Sequence, residues 1–399
     1  MYCVRKVTED LYWVGANDRR LALFENIHPI PEGTSYNSYV LTDEKTVLID
    51  TADWDVTRQF RENVEHVLNG RTLDYIIINH MEPDHSASLA LMREKYPDAV
   101  VITTAKAVTM MKQYGLTDEN VQVVKEGDSI SFGKHEFTFY TAPMVHWPEV
   151  MVSYDKTDKV LFSADAFGSF GSLDGRLFSD EVDYQRDWAE PARRYYTNIV
   201  GKYGMQVQKL LQKAYTLDIE YICPLHGLVF RAAKDIAYMV EKYDKWSKYE
   251  PEEKGVLICY ASMYGNTEEA AYLLASRLCE KGMTNVEVRD VSNTHVSYLI
   301  SSAFKLSNLA LLSVTYNNNL FPIMAEFVDD MARLGLKNRK VAVVENGTWA
   351  PQAGSILVKD LEAMGMEILG EKTTMMSSLN ADTAEAVEKL ADEIAASMR

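Results

Sequence analysis

The stretch YIIINHMEPDHSAS, residues 75–88, decides the reading of the N-terminal half of this chain. An apolar run of strand type ends in His80, and Glu82, Asp84 and His85 follow within the next five positions, ahead of the helical pattern SLALMREKY. Asp84 and Ser86 could cap that helix, but capping does not account for what recurs downstream. His146 in TAPMVHWPE, Asp165 in LFSAD and His226 in YICPLHG each close another strand-like apolar run. Four of the eight histidines therefore fall at strand ends, interleaved with a strand-terminal aspartate. The pattern points to a metal site assembled from loops at one edge of packed sheets. The other four, His28, His66, His135 and His295, stand in polar or helical contexts and read as surface or loop residues.

Around these loops the first 230 or so residues mix two kinds of strand. Runs such as TVLID (46–50) and VVITT (100–104) alternate with helices, whereas VQVVKEGDSISFGKHEFTFYTAP and EVMVSYDKTDKVLFSAD read as meanders with polar turns. AEPARRYYTNIVGKYGMQVQKLLQKAYTL and AAKDIAYMVEKYDKWSKY carry helical spacing. The mixture predicts packed sheets with helices outside. SKYEPEEKG (247–255) is polar and proline-bearing, and reads as a linker between domains at 1–248 and 255–399. Beyond it VLICYA, VEVRDV, LALLSVTY, KVAVVEN and MEILGEK alternate with helices, five of each, the pattern of a doubly wound α/β parallel sheet.

That second domain carries its own candidate site. After VLICYA come Ser262, Met263, Tyr264, Gly265, Asn266 and Thr267, opening a helix: hydroxyls and free backbone amides at a helix N-terminus, an anion site that needs no lysine. The loops after the third and fourth strands supply Thr315, Tyr316 and Asn317, then Asn346, Gly347, Thr348 and Trp349, with aromatics able to stack on a planar ring. No G-x-G-x-x-G with its downstream acid occurs, so a directly bound nicotinamide is not indicated.

Composition limits the function classes. The 399 residues carry a net charge of −17, which argues against nucleic acid and against an anionic membrane surface. No apolar run is long enough to span a bilayer, and the N-terminus lacks the apolar core of a secretory signal, so a cytoplasmic location is expected. Cys3, Cys223, Cys259 and Cys279 form no CxxC pair, which removes the usual thiolate zinc and iron–sulfur patterns.

The order HxExDH, His, Asp, His resembles the metallo-β-lactamase superfamily, whose hydrolases have HxHxDH before the same later ligands. Glu82 replaces a histidine of that pattern. With Glu82, Asp84 and Asp165, three anionic ligands would serve two divalent ions, a set that suits iron better than zinc and stabilises its ferric state. The 262–267 loop resembles the flavodoxin phosphate loop, with Tyr264 in place of its central hydroxyl residue. Both halves together resemble the flavodiiron proteins over nearly the whole chain. The resemblance implies an αββα metallo-β-lactamase-like domain followed by a flavodoxin-like domain that binds FMN. It implies one iron on His80, Glu82 and His146, a second on Asp84, His85 and His226, and Asp165 bridging them. Tyr195 or Tyr196 in RRYYTN resembles the family's pocket tyrosine. It further implies reduction of dioxygen to water, of nitric oxide to nitrous oxide, or both. The same resemblance implies a head-to-tail homodimer or a dimer of dimers, with electrons arriving from a separate donor such as rubredoxin or a reduced deazaflavin. The competing reading is a dizinc hydrolase with a flavodoxin-like partner domain.

Overall fold

Apolar residues two apart dictate the layering of the N-terminal unit in the computed structural model, which describes residues 2–398. Val40, Leu48, Ile76 and Val101 are cross-strand neighbours and pack with Phe60, Val64 and Leu68 of the helix Thr57–Leu68. Their strand neighbours Tyr39, Ile49, Ile77 and Ile102 face the other way, where Tyr39 meets Phe162 of a second sheet at 5.4 Å between rings. On that second sheet Leu161 and Ile222 line a groove with Leu211, Ile236 and Val240 of two outer helices. The layers are therefore helix, sheet, sheet, helix.

The first sheet runs Arg5–Lys6, Leu11–Trp13, Tyr39–Thr42, Thr46–Ile49, Tyr75–Ile77, Val100–Thr103, Val121–Val123, antiparallel as far as Thr46–Ile49 and parallel thereafter. The second runs Ser129–Ser131, Glu136–Thr141, Met151–Asp155, Val160–Phe162, Tyr221–Cys223, with only the last pairing parallel. The long helical stretch expected after residue 189 is interrupted. An α-helix ends at Tyr195, a wider π turn spans Tyr196–Val200, a tight turn spans Gly201–Tyr203, and Gly204–Ala214 resumes as α-helix. Such π turns concentrate at functional sites.

Two of the histidines read as surface or loop residues are buried. His28 is 8% exposed and His135 fully enclosed. His135 sits at the corner of a hairpin, where its Nδ1–H donates to Asp155 at 2.7 Å and its Nε2 lies 3.3 Å from Asp10. Burial lowers its affinity for a proton, but Asp155 and Asp10 outweigh that, and the net shift is upward. A raised folded value means the pair stabilises fully below the imidazole's ordinary value, 6.5, and less as pH rises through the folded value. The melting difference between the natural chain and His135→Asn is accordingly expected to be largest below that value and to shrink in alkali; a difference independent of pH would contradict this.

The second unit begins at Lys245, within the helix Ala233–Ser247, and the proposed boundaries at 248 and 255 fall just beyond that division. Its parallel strands lie in the order Val286–Asp290, Glu253–Ala261, Leu306–Tyr316, Lys340–Asn346, Glu367–Ile368. That is the second, first, third, fourth and fifth in sequence, the flavodoxin order. The fifth is broken: Thr373–Met375 resumes the pairing beside Val344–Asn346 after Gly370, whose φ is +60°. Among the described residues no helix is long and apolar enough to cross a membrane.

Candidate metal centre and flavin cradle

Each metal-type side chain leaves a loop at a strand end, and buried polar contacts fix those loops. Asp50, just past Thr46–Ile49 and at φ +54°, accepts from Asn79 N at 2.7 Å and from Asn79 Nδ2 at 2.7 Å, pinning the backbone ahead of His80. Thr51 N and its hydroxyl donate to the His85 carbonyl at 2.9 and 2.7 Å. Asp165 follows Val160–Phe162 in a turn where Ala164 and Phe167 take φ of +51° and +68°, conformations that residues with side chains seldom adopt. Asn37 holds the loop of His226 by donating to Pro224 O and Gly227 O, both at 2.9 Å.

The loops bring together two groups, His80, Glu82, His146 and Asp165, and Asp84, His85 and His226, with the ligand atoms of each group within 4.8 Å of one another. Asp165 faces both. Its Oδ2 lies 3.3 Å from His80 Nε2 and 3.0 Å from His146 Nε2, while Oδ1 lies 3.3 Å from His85 Nε2 and 3.7 Å from His226 Nε2. Glu82 Oε2 is 3.0 Å from His146 Nε2, and Asp84 Oδ2 is 3.2 Å from both His85 and His226.

Glu82 Oε2 is in hydrogen-bond contact with His146, but the two aspartates are left unsatisfied. The four carboxylate oxygens of Asp84 and Asp165 are buried without a hydrogen-bond partner among the described residues. His80 Nδ1–H donates to Glu149 Oε1 at 2.8 Å, and His226 Nδ1–H donates to Ser35 O at 2.7 Å. Both acceptors can only accept, so Nδ1 carries a proton and Nε2 is the nitrogen turned inward, available to a metal ion that displaces any proton on it. His85 Nε2 and His226 Nε2 then face each other at 3.0 Å. Imidazole Nε2 atoms turned toward one another and toward inward-facing carboxylates make sense around cations. Burial disfavours charge on both His85 and His146, yet Asp84 and Asp165 outweigh it at His85 and push that imidazole up to about 10, while Asp165 and Glu82 push His146 up to about 9. The enclosed negative field must be neutralised, and two divalent ions would do so.

Of the two tyrosines, only Tyr195 turns to this site: its ring is 5.4 Å from that of His226, and its buried hydroxyl has no hydrogen-bond partner. Tyr196 packs on Tyr243 at 4.8 Å, because consecutive helical residues point about 100° apart and cannot share a face. Gly168 leaves room for Tyr195, since a Cβ there would lie 3.0 Å from its ring. A cavity of about 470 Å3 lined by Leu23, Phe24, Glu25, Tyr36, Glu82 and Asp84 opens onto the ligands. Glu25, raised to about 8 by burial and by Glu82, was not legible in the sequence, nor were Asp50 and Glu149.

In the second unit the sequence-predicted loops gather at the carboxyl ends of Glu253–Ala261, Leu306–Tyr316 and Lys340–Asn346. Ser262 Oγ accepts from Gly265 N at 3.0 Å, and Gly265, at φ +90°, turns the chain into the helix Asn266–Glu280. Met263, Tyr264, Tyr316 and Trp349 are exposed, Tyr264 by 88% and Trp349 by 68%. Asn317 and Thr348 are exposed beside them. Asn346 and Thr315 hold the scaffold, and Asn346 ties the start of the Asn266–Glu280 helix to it through Thr267. Asn346 Nδ2 donates to Thr267 Oγ1 at 3.2 Å and to Ser377 O at 2.8 Å, and Thr315 Oγ1 accepts from Gln352 N at 2.9 Å. Ser377, in the loop after the broken fifth strand, also hydrogen-bonds Thr348 at 3.0 Å and adds a fourth loop to the cradle. Gly347 lies against Pro351, where a Cβ would come within 3.1 Å.

Under the cradle Glu345, buried, accepts from Gly354 N and Thr374 Oγ1, each at 2.8 Å, and pairs with Lys372. It ties the start of the helix Ala353–Ala363, and so the loop bearing Trp349, to the fifth strand. Glu345→Ala leaves the buried Gly354 N–H without its acceptor, at a cost of about 2 kcal/mol. Thermal melting of the full chain is expected to show that loss, with Glu345→Gln milder because its amide oxygen can still accept; equal melting of all three would contradict it.

A β-lactamase-type sandwich with a two-centre metal pocket, in one chain with a flavodoxin-type sheet, defines a flavin-linked metalloprotein. Residues 34–227 match the family of ODP beta lactamases and residues 258–395 match flavodoxin. An anaerobic nitric oxide reductase flavorubredoxin of Vibrio vulnificus is 34% identical over 86% of this chain and 70% of its own length. A rubredoxin-oxygen oxidoreductase of Megalodesulfovibrio gigas is 31% identical over 91% and 90%. Among solved structures, the rubredoxin oxygen:oxidoreductase from Desulfovibrio gigas superposes with a TM-score of 0.92 at 30% identity, covering 99% of this chain and 98% of that one. The flavodiiron protein from Giardia intestinalis superposes at 0.89 with 25% identity, covering 98% of each. The chain belongs to the flavodiiron proteins.

Proposed function

We propose that this protein reduces dioxygen to water, nitric oxide to nitrous oxide, or both, at an iron pair supplied with electrons by FMN. The observation that carries the reading is Asp165, which offers one oxygen to each of two otherwise separate ligand groups within a chain that also builds a flavin cradle. His80, Glu82 and His146 would hold one iron, Asp84, His85 and His226 the other, with Asp165 between them. Ser262, Gly265, Asn266 and Thr267 would take the FMN phosphate, while Tyr264, Asn317, Thr348 and Trp349 would face the ring. When bound, the iron pair supplies paired one-electron centres, and FMN accepts and passes on the donor's electrons.

The chain's own groups do the rest. Glu149 and the Ser35 carbonyl orient His80 and His226 so that each presents Nε2. Phe24, 5.2 Å from the His226 ring, and Phe170, 5.2 Å from the Tyr195 ring, give the pocket an apolar wall suited to small uncharged gases. Burial, with Asp165 and Asp84 adding to it, holds the Tyr195 phenol well above its ordinary value, so its hydroxyl stays protonated and able to donate into the pocket. Electrons would come from an external rubredoxin-type protein or a reduced deazaflavin, and the working unit would be a head-to-tail homodimer. A soluble cytoplasmic setting accords with this.

The test is anaerobic purification followed by metal, flavin and gas analysis. About two irons and one FMN per chain are expected, with consumption of either gas on adding reduced rubredoxin. Stoichiometric zinc with no gas consumption would instead favour the dizinc hydrolase.

A further inference from the structure

The two ligand groups are formally matched, each with two histidines, one terminal carboxylate and one oxygen of Asp165. What stands behind the histidines differs. His80 Nδ1–H donates to the Glu149 carboxylate at 2.8 Å, with both side chains fully enclosed. Met81 N donates to the same Glu149 oxygen at 2.9 Å, and the other oxygen, Oε2, is buried with no hydrogen-bond partner among the described residues. In the second group His226 Nδ1–H meets a neutral backbone carbonyl, Ser35 O, and His85 Nδ1 is buried without an acceptor among the described residues.

A carboxylate behind a ligating imidazole raises its basicity and places a further negative charge beside one metal. In a dry interior that charge is poorly screened. We infer that Glu149 makes the two metal positions electronically unequal, so that the first electron to leave a diferrous pair leaves the iron on His80, Glu82 and His146. This rests on the iron pair proposed above. The oxidant in the test is ferricyanide, a one-electron acceptor that becomes ferrocyanide: reduced FMN consumes two equivalents, the first equivalent to reach the diferrous pair leaves one ferric and one ferrous ion, and a second leaves both ferric.

Full-length protein loaded with iron and FMN, natural and Glu149→Gln, would be reduced anaerobically and titrated with ferricyanide while the half-oxidised pair is followed by electron paramagnetic resonance. The glutamine oxygen can still accept from His80 and Met81, so the substitution removes charge and leaves the hydrogen bonds. The equilibrium constant favouring the half-oxidised pair is expected to fall about tenfold, or about 59 mV in the separation of the two one-electron couples. An unchanged constant would overturn the inference. Should the variant fail to fold, iron-edge anomalous scattering from half-oxidised crystals of the natural protein decides the matter. Ferric iron at the His80 position supports the inference, and ferric iron at the His226 position, or an even mixture, overturns it. Metal analysis beforehand separates this from failure of the proposed function, since a chain that binds no iron pair never reaches the titration.

Discussion

Asp165→Ala is expected to empty both metal positions at once and to leave activity below about 1% of the natural protein's. The geometry gives the reason: among the described residues no other side chain offers one oxygen to His80 and His146 and the other to His85 and His226. His146→Ala, by contrast, removes a ligand from one group only and should lower iron content toward one per chain before activity is lost. The metal-free fold should tolerate the aspartate change. In the metal-free chain Asp165 is ion-paired with His80, His85 and His146, and without it those imidazoles can release their protons and stay buried as neutral groups. Elemental analysis together with melting of the apoproteins checks this pair of outcomes. Retention of two irons by Asp165→Ala, or collapse of its metal-free fold, would refute the bridging role.

What the sequence revealed follows the range of the interactions involved. The residues that gather in the two groups were legible because each ends a strand-like run, and a strand end is a local signal: His80, His146, Asp165 and His226 needed no knowledge of pairing. The five-strand alternation was legible for the same reason, although not the break at Gly370, which a positive φ produces without an obvious signal in MEILGEK. Glu149 lies three residues from His146, yet its partner is His80, 69 positions away, and only the folded sheets bring them together. Asp50 is hidden likewise, since TVLID reads as an ordinary strand until Asn79 is found against it. His135 was misread because GKHEF is polar, whereas two acids distant in sequence, Asp155 and Asp10, make a fully enclosed imidazole tolerable. The tyrosine pair depended on a helix phase that the π turn at Tyr196–Val200 obscures in any count of 3.6 residues per turn.

Co-expression of two inactive chains is expected to restore activity if the proposed head-to-tail dimer is the working unit. One chain carries Asp165→Ala and keeps its flavin cradle; the other carries Asn266→Ala and Thr267→Val and keeps its metal ligands. The second pair of substitutions removes polar side chains at the start of the helix Asn266–Glu280 and unmakes the contact from Asn346 Nδ2 to Thr267 Oγ1, so FMN should be lost. In a head-to-tail pair the flavin of the first chain faces the irons of the second, and a two-fold arrangement makes two such contacts, one of them intact in a mixed dimer. Random pairing makes about half of all dimers mixed, each with one working contact of two, so about a quarter of the natural activity should return. Separately purified variants, each assayed alone with reduced rubredoxin, supply the baseline. If electrons pass only between sites of the same chain, no combination contains a complete path. The mixture then stays at that baseline, and the head-to-tail arrangement has to be given up.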